Sequence, residues 1–512
     1  MKASFVTICL LLPRLVWAET PLSAIDWLNQ LRSKKEINIL RQNSDSREPP
    51  ISPNAVLPNI EVSNLSEIRI DTVGLLPPSV TGLPLTIWRD SASGDLKRLL
   101  DDMTIGSNPA IQSLLFRLLL AEGYAPYDSD DSFSFFLARI NKLVDYGAVE
   151  PALALLKRAA PLPSKLVPSL FELSMLSEDL PPVCDQVLQL GRNYPEDGAR
   201  IYCHARRGDW LTARLMLETT VALGTIEQRQ EALFHLFLET SAHDSIIAQL
   251  PPSSAPTPLD FRLYEAIGEP LSPSSLPRKF AVSDLSGDHG WKVQLEAAER
   301  LKISGALADN RYLGVFTLRQ PSASGGIWDR VALVQEFDKA VKESSVILAQ
   351  KALTVLSSDQ SFPALAGPIS RLFAKKLMML QLGKSEMILA CKLALLTPEY
   401  KTAAFRLRSI SDQYQIEIAT ATGEFSTLKP NTALEETIYQ AFVQPRIPYA
   451  IKTLLEQGKL GEVILTAIIQ FYKGEAGDPQ DMLDALSTLR LIGLEDTARR
   501  AILHHLIVNH DD

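Results

Sequence analysis

The chain has 512 residues, 46% of them hydrophobic and 22% charged, with a formal net charge of −9. That length is ample for more than one core, and the composition is that of a folded protein, not a disordered one. An acidic chain without Lys/Arg runs lacks the electrostatic footprint of a nucleic-acid or anionic-lipid binder, so neither is expected as a partner.

Residues 1–18 read as a secretory signal peptide. Lys2 supplies the positive start, residues 5–12 a short apolar core, and Val16-Trp17-Ala18 a cleavage site after Ala18. Losing Lys2 and Arg14 with this leader takes the charge from −9 to −11. Cys9 lies inside the apolar core and is a poor lipid-attachment site. No later apolar run reaches the roughly 18–20 residues needed to cross a bilayer. The expected product is exported and soluble, without a transmembrane segment, and the style of the leader suits the periplasm of a Gram-negative bacterium.

Residues 19–40 hold an amphipathic helix, with Leu22, Ile25, Leu28 and Leu31 at three-residue intervals and Trp27 alongside. Residues 41–93 form an extended, Pro-rich arm. Pro49, Pro50, Pro53 and Pro58 exclude helix there, and Ile60-Glu61-Val62 and Ile68-Arg69-Ile70 alternate like short strands. Further along, Leu75, Leu76, Val80 and Leu83 sit among prolines and glycines as a candidate docking arm. Extended segments of this kind lose little entropy on binding a partner, although the same residues also suit packing along the protein's own helices.

From residue 94 a period of 3.6 takes over. Helices are predicted over 133–144, 149–160, 166–175, 182–190, 199–206, 211–223 and 228–239. Pro251-Pro252-Ser253-Ser254-Ala255-Pro256 then interrupts the pattern. The expected organisation is a helical lobe over 94–250, a linker over 251–278 with a short helix at 259–267, and a second lobe over 279–512. Clear helices in the second lobe cover 291–304 and 328–348.

One turn recurs through both lobes. A glycine ends one helical stretch, and five residues later a small or branched residue sits on the next: Gly147 with Ala152, Gly208 with Ala213, Gly458 with Val463, and Gly493 with Ala498. Glycine takes the left-handed conformation that stops a helix, and the small residue lets the next helix pack back closely. Hairpins repeated in this way predict a mainly α fold, an irregular α-solenoid, and solenoids mostly bind. The run Tyr202-Cys203-His204-Ala205-Arg206-Arg207-Gly208-Asp209-Trp210-Leu211-Thr212-Ala213 resembles the middle of a tetratricopeptide (TPR) repeat. Val144-Asp145-Tyr146-Gly147-Ala148 with Ala152 is similar, as is Gly493 with Ala498. Gly458 and Gly493 lie 35 residues apart, close to that family's roughly 34-residue period. The resemblance covers these windows and not the whole chain. It implies peptide or protein binding on a concave surface, and it brings no catalytic residue.

Cys184 and Cys203 flank the helix breaker at 193–198 and are equidistant from its centre. In an antiparallel helical hairpin such residues face each other, so a disulfide is expected in an oxidising compartment. Cys391 lies in an apolar stretch and is expected to be a buried spare.

Catalytic chemistry is hard to find. His504-His505 and His510 do not share a helix face, and His204, His235 and His243 have no ligand-spaced neighbours. The cluster Ser283-Asp284-Leu285-Ser286-Gly287-Asp288-His289-Gly290-Trp291 holds hydrolase residue types, but triads are assembled from distant segments; it reads as a turn with Trp291 anchoring the next helix. Ser322-Ala323-Ser324-Gly325-Gly326 reads as a helix-capping loop, and Arg207-Gly208-Asp209 coincides with a repeat turn. No catalytic, cofactor or metal site is expected. The function expected is that of a non-enzymatic periplasmic scaffold or adaptor binding other envelope proteins, for instance as an accessory component of an envelope-spanning machine such as the flagellar motor. Two alternatives stand beside it: a cell-wall-acting enzyme or its helper, and a small-ligand-binding periplasmic protein, which requires an apolar pocket with a few convergent polar groups.

Overall fold

Helices begin where the chain offers a capping side chain followed by proline. Asn108 accepts from Ala110 N ahead of Pro109, and Asp478 accepts from Gln480 N and Asp481 N ahead of Pro479. Thr257 and Asp260 cap each other reciprocally around Pro258. A computed structural model describes residues 69–177, 181–238, 255–286, 289–358, 362–426 and 428–508. These are mainly helical and contain no strand; the single β-type contact is a parallel bridge between Leu76 and Ala121. The predicted leader, the 19–40 helix, the arm up to residue 68, residues 239–254 and His510 lie outside the described residues.

Four helices open the described chain: α1 (Ser93–Asp102), α2 (Pro109–Leu119), α3 (Ser134–Asp145) and α4 (Val149–Arg158). A second group follows as α5 (Val167–Met175), α6 (Pro181–Leu190), α7 (Asp197–Arg206), α8 (Trp210–Leu223), α9 (Gln228–Leu238) and α10 (Pro258–Ala266). Each of these packs on the next, and α10 returns to α5. The third group is α11 (Trp291–Ile303), α12 (Asp309–Phe316), α13 (Ile327–Lys342), α14 (Val346–Ser358), α15 (Phe362–Ile369) with a π-helical continuation (Ser370–Ala374), α16 (Lys384–Leu395), α17 (Tyr400–Ile410) and α18 (Gln415–Thr422). The last is α19 (Ala433–Val443), α20 (Tyr449–Glu456), α21 (Leu460–Glu475), α22 (Pro479–Leu491) and α23 (Glu495–Val508).

The last described helices come back to the first. Helix α23 packs on α2 as well as on α15, α16, α18 and α22, and α21 packs on α1 and α2. Asn108 is fully buried and donates from Nδ2 to Glu475 Oε1 (3.0 Å) and to the Ala501 carbonyl (2.9 Å). Gln112 donates to the carbonyls of Gly106 and Ile303, both at 2.7 Å, tying α2 to α11. Two glycines admit aromatic rings at this closure. A Cβ on Gly106 would lie 1.9 Å from the Tyr472 ring, and one on Gly461 would lie 2.5 Å from the Trp88 ring.

Two sequence expectations are corrected. The arm is not extended over its described part: residues 69–93 form helical turns at Ile70–Thr72, Pro78–Thr81 and Leu85–Ile87, so Ile70 belongs to a turn and not to a strand. Buried Arg139 holds this segment by donating to the carbonyls of Val73, Leu119 and Ala121. The short helix expected at 259–267 is present as α10, starting one residue earlier, and its Leu259, Phe261 and Leu263 are buried against neighbouring helices. The single helix over 328–348 is two, because Ser344 takes a left-handed φ of 52° without a glycine to announce it. The described residues fall within one compact unit.

Two buried groups make the closure pH-sensitive in opposite senses. Burial raises Glu475 from 4.5 to about 7, so folding holds a proton that the unfolded chain releases; stability falls as pH rises through that window, by on the order of 3 kcal/mol. Burial, followed by the Arg371 and His505 charges, lowers His504 from 6.5 to about 3, so stability falls as pH drops below 6.5. Urea denaturation is expected to show Glu475→Gln gaining on wild type as pH rises from about 5 to 8, and His504→Leu gaining as pH falls from about 7 to 5. Gly461→Val is expected to cost about 1–3 kcal/mol by overpacking against Trp88, measured in the same way.

Candidate binding surfaces

The four predicted turns share one geometry. Gly147, Gly208, Gly458 and Gly493 have φ of 80°, 83°, 77° and 87°. In each, the residue after the glycine donates its N–H five residues back, as Ala148 to Leu143 O, Asp209 to His204 O, Lys459 to Leu454 O and Leu494 to Leu489 O. The glycine itself bonds three residues back, which completes the Schellman motif. Ala152, Ala213, Val463 and Ala498 are all fully buried against the preceding helix or its neighbours. The same turn also occurs at Gly224, Gly268, Gly305, Gly477 and Ser344, which the spacing rule missed. At Gly477 the fifth residue is Met482, and close approach is provided instead by Gly474, whose Cβ would lie 2.7 Å from Met482.

The hairpin at Gly208 is the most elaborated of these. Cys184 on α6 and Cys203 on α7 form a disulfide with a Cα–Cα distance of 5.2 Å. Asp209 caps α8 by accepting from Thr212 N at 3.3 Å. Helix α8 buries Ala213, Leu217 and Thr220, yet Trp210, Leu211, Leu215 and Leu223 are 51, 85, 65 and 70% exposed. Leu211 and Leu215 are one turn apart, with Leu223 two turns further on. A helix apolar on both sides is normally buried on both, so an aliphatic row left in solvent marks a contact surface. Tyr202 and Trp210 both lie against Phe237 of α9, fixing the base of the row.

A second concavity, of about 640 Å³, opens between α3, α5, the start of α10 and α11. Ile140, Val144, Leu173, Leu176 and Ile303 line it together with Arg278, Lys279 and Arg300. The glycine turn at 147 seats this wall: a Cβ there would lie 2.5 Å from Leu301 and 3.2 Å from the Arg278 side chain. Arg300 donates to the carbonyls of Pro273 (2.7 Å) and Leu276 (2.5 Å).

The docking-arm residues are placed otherwise. Leu76 and Leu83 are buried within the protein and Leu75 and Val80 are half-buried, so this stretch is committed to its own helices. Leu75 and Leu76 donate to the Leu120 carbonyl, and Glu122 donates to Leu76. Trp291 is buried and donates to Val315 O at 2.9 Å, while Gly325 N donates to Asp329 at the start of α13. Cys391 is buried, and burial pushes its thiol up to about 11. Among the described residues no group of three or more His, Cys, Asp or Glu is placed to hold a metal ion. No described helix is long and apolar enough to cross a membrane.

Neither surface had been singled out in the sequence. The α8 row was findable there, because Leu211, Leu215 and Leu223 fall about half a turn from Ala213 and Leu217. The cationic wall was not, since Arg278 and Arg300 meet only through the packing of the 273–280 segment on α11.

Compared with known protein families, curated proteins and solved structures, the chain matches none.

Thiol titration of the denatured, unreduced protein is expected to find Cys391 reactive, together with Cys9 wherever the leader is retained. Replacing both Cys184 and Cys203 with serine is expected to lower unfolding free energy by about 3 kcal/mol, because the bridge closes a loop of about 20 residues.

Proposed function

We propose that this protein is a non-enzymatic scaffold or adaptor of the bacterial periplasm, with TPR-like hairpins presenting a surface to another envelope protein. The observation that carries this reading is the exposed aliphatic row of α8. Contiguous apolar side chains on an outer helix are the usual signature of a protein contact. Two further features support the address and the mode of action. The Cys184–Cys203 bridge suits an oxidising compartment, and the leader read at 1–18 suits export. The rigid, stapled hairpin beneath the row lowers the ordering cost of binding.

A photo-crosslinking residue at Leu211 or Leu215, in a Gram-negative cell exporting the protein, is expected to trap one envelope protein in defined stoichiometry. The same residue at Lys473 is expected to trap none. Leu211→Glu with Leu215→Glu should abolish the adduct at Trp210 while leaving the unfolding midpoint nearly unchanged, since surface changes cost within about 0.5 kcal/mol. A protein that yields no defined adduct from either position contradicts the reading.

A further inference from the structure

We infer that the groove between α3, α5 and α11 is a binding site for a small amphipathic anion, an alkyl chain carrying one carboxylate or phosphate head. It lies apart from the α8 row and would serve a function additional to protein docking.

The charge distribution is the first observation. In a chain of net charge −9, Arg278, Lys279 and Arg300 converge on one cavity, and among the described residues none of the three makes an ion pair. Arg300 is held in place by the Pro273 and Leu276 carbonyls, and Lys279 lies over the Phe280 ring at 5.3 Å. Arg278 has only a long contact to the Asp145 carbonyl, at 3.5 Å. Two carboxylates also border the groove. Asp145 is turned towards Lys142 (3.5 Å) and Glu172 is exposed, which leaves the wall with one excess positive charge. Cations gathered this way repel each other, and an anion seated among them offsets the excess charge. Consistent with that, burial and then the Arg300 charge lower the Arg278 guanidinium from its ordinary value.

The rest of the wall sets the body of the ligand. Ile105, Ile140, Val144, Leu173, Leu176 and Ile303 face the cavity, and its neutral polar side chains are Asn141 and Ser169. A peptide would need hydrogen-bonding partners along its backbone, whereas an alkyl chain needs apolar area and one charged anchor. A volume of about 640 Å³ lies within the range that holds such a molecule.

Calorimetric titration of the full-length protein with decanoate and with decyl phosphate, against decanol and decyltrimethylammonium, tests this. At least one anion is expected to bind about tenfold or more tightly than decanol, and the cation not at all. The tighter of the two heads identifies the source as a fatty carboxylate or a phosphorylated chain. Arg278→Gln with Lys279→Gln is expected to cost the anion about tenfold, and Ser169→Trp to block it by filling the groove, each with unchanged far-ultraviolet circular dichroism. Leu211→Ser with Leu215→Ser, on the separate α8 row, is expected to leave anion binding intact. Equal affinity for decanol, no binding of either anion, or full affinity in the Arg278→Gln, Lys279→Gln protein overturns the inference. So does loss of binding in the α8 variant, which would move the site to that row.

Discussion

The return of α23 onto α2 is the constraint on which the rest of the structure depends. Asn108 caps α2 and at the same time donates to Glu475 on α21 and to the backbone of α23, so one buried amide serves three helices from opposite ends of the chain. Leu503, Ile507 and Val508 from α23 complete the hydrophobic core formed by α11–α18. Closure also fixes which surfaces remain outside.

The local device behind this arrangement is a single turn used many times. A Schellman turn returns each helix antiparallel to the last, and a small residue on the second helix sets how close the pair comes. Where the small residue is absent, a glycine elsewhere takes its place, as Gly474 does between α21 and α22. Whether the outer face of a helix is covered differs along the chain. In α8 it is not. The α5–α10 group closes on itself through the contact of α10 with α5, leaving the far side of α8 uncovered.

Both surfaces follow from the same turns. The hairpin at Gly208 carries the disulfide beneath the aliphatic row, and the hairpin at Gly147 seats Arg278 and Leu301 at the edge of the cationic groove. One surface is apolar and exposed. The other is concave, with a charged end and an apolar end. Their separation on different helices allows each to be altered without the other.

Much of this was legible in the residues. The helical class, the helices between residues 133 and 239 and those at 259–267 and 291–304, the four glycine turns and the position of the cysteine pair about a central breaker follow from local rules. Periodicity, capping and the left-handed preference of glycine act over a few residues, and are therefore visible in a linear string. Ser344 escaped because a serine can adopt that conformation without advertising it. The destination of Leu76 and Leu83, the meeting of α23 with α2 and the gathering of Arg278 with Arg300 were decided by the tertiary structure alone. Each depends on the summed rotations of many helix pairs, where a small change of angle at every turn determines which distant faces finally touch.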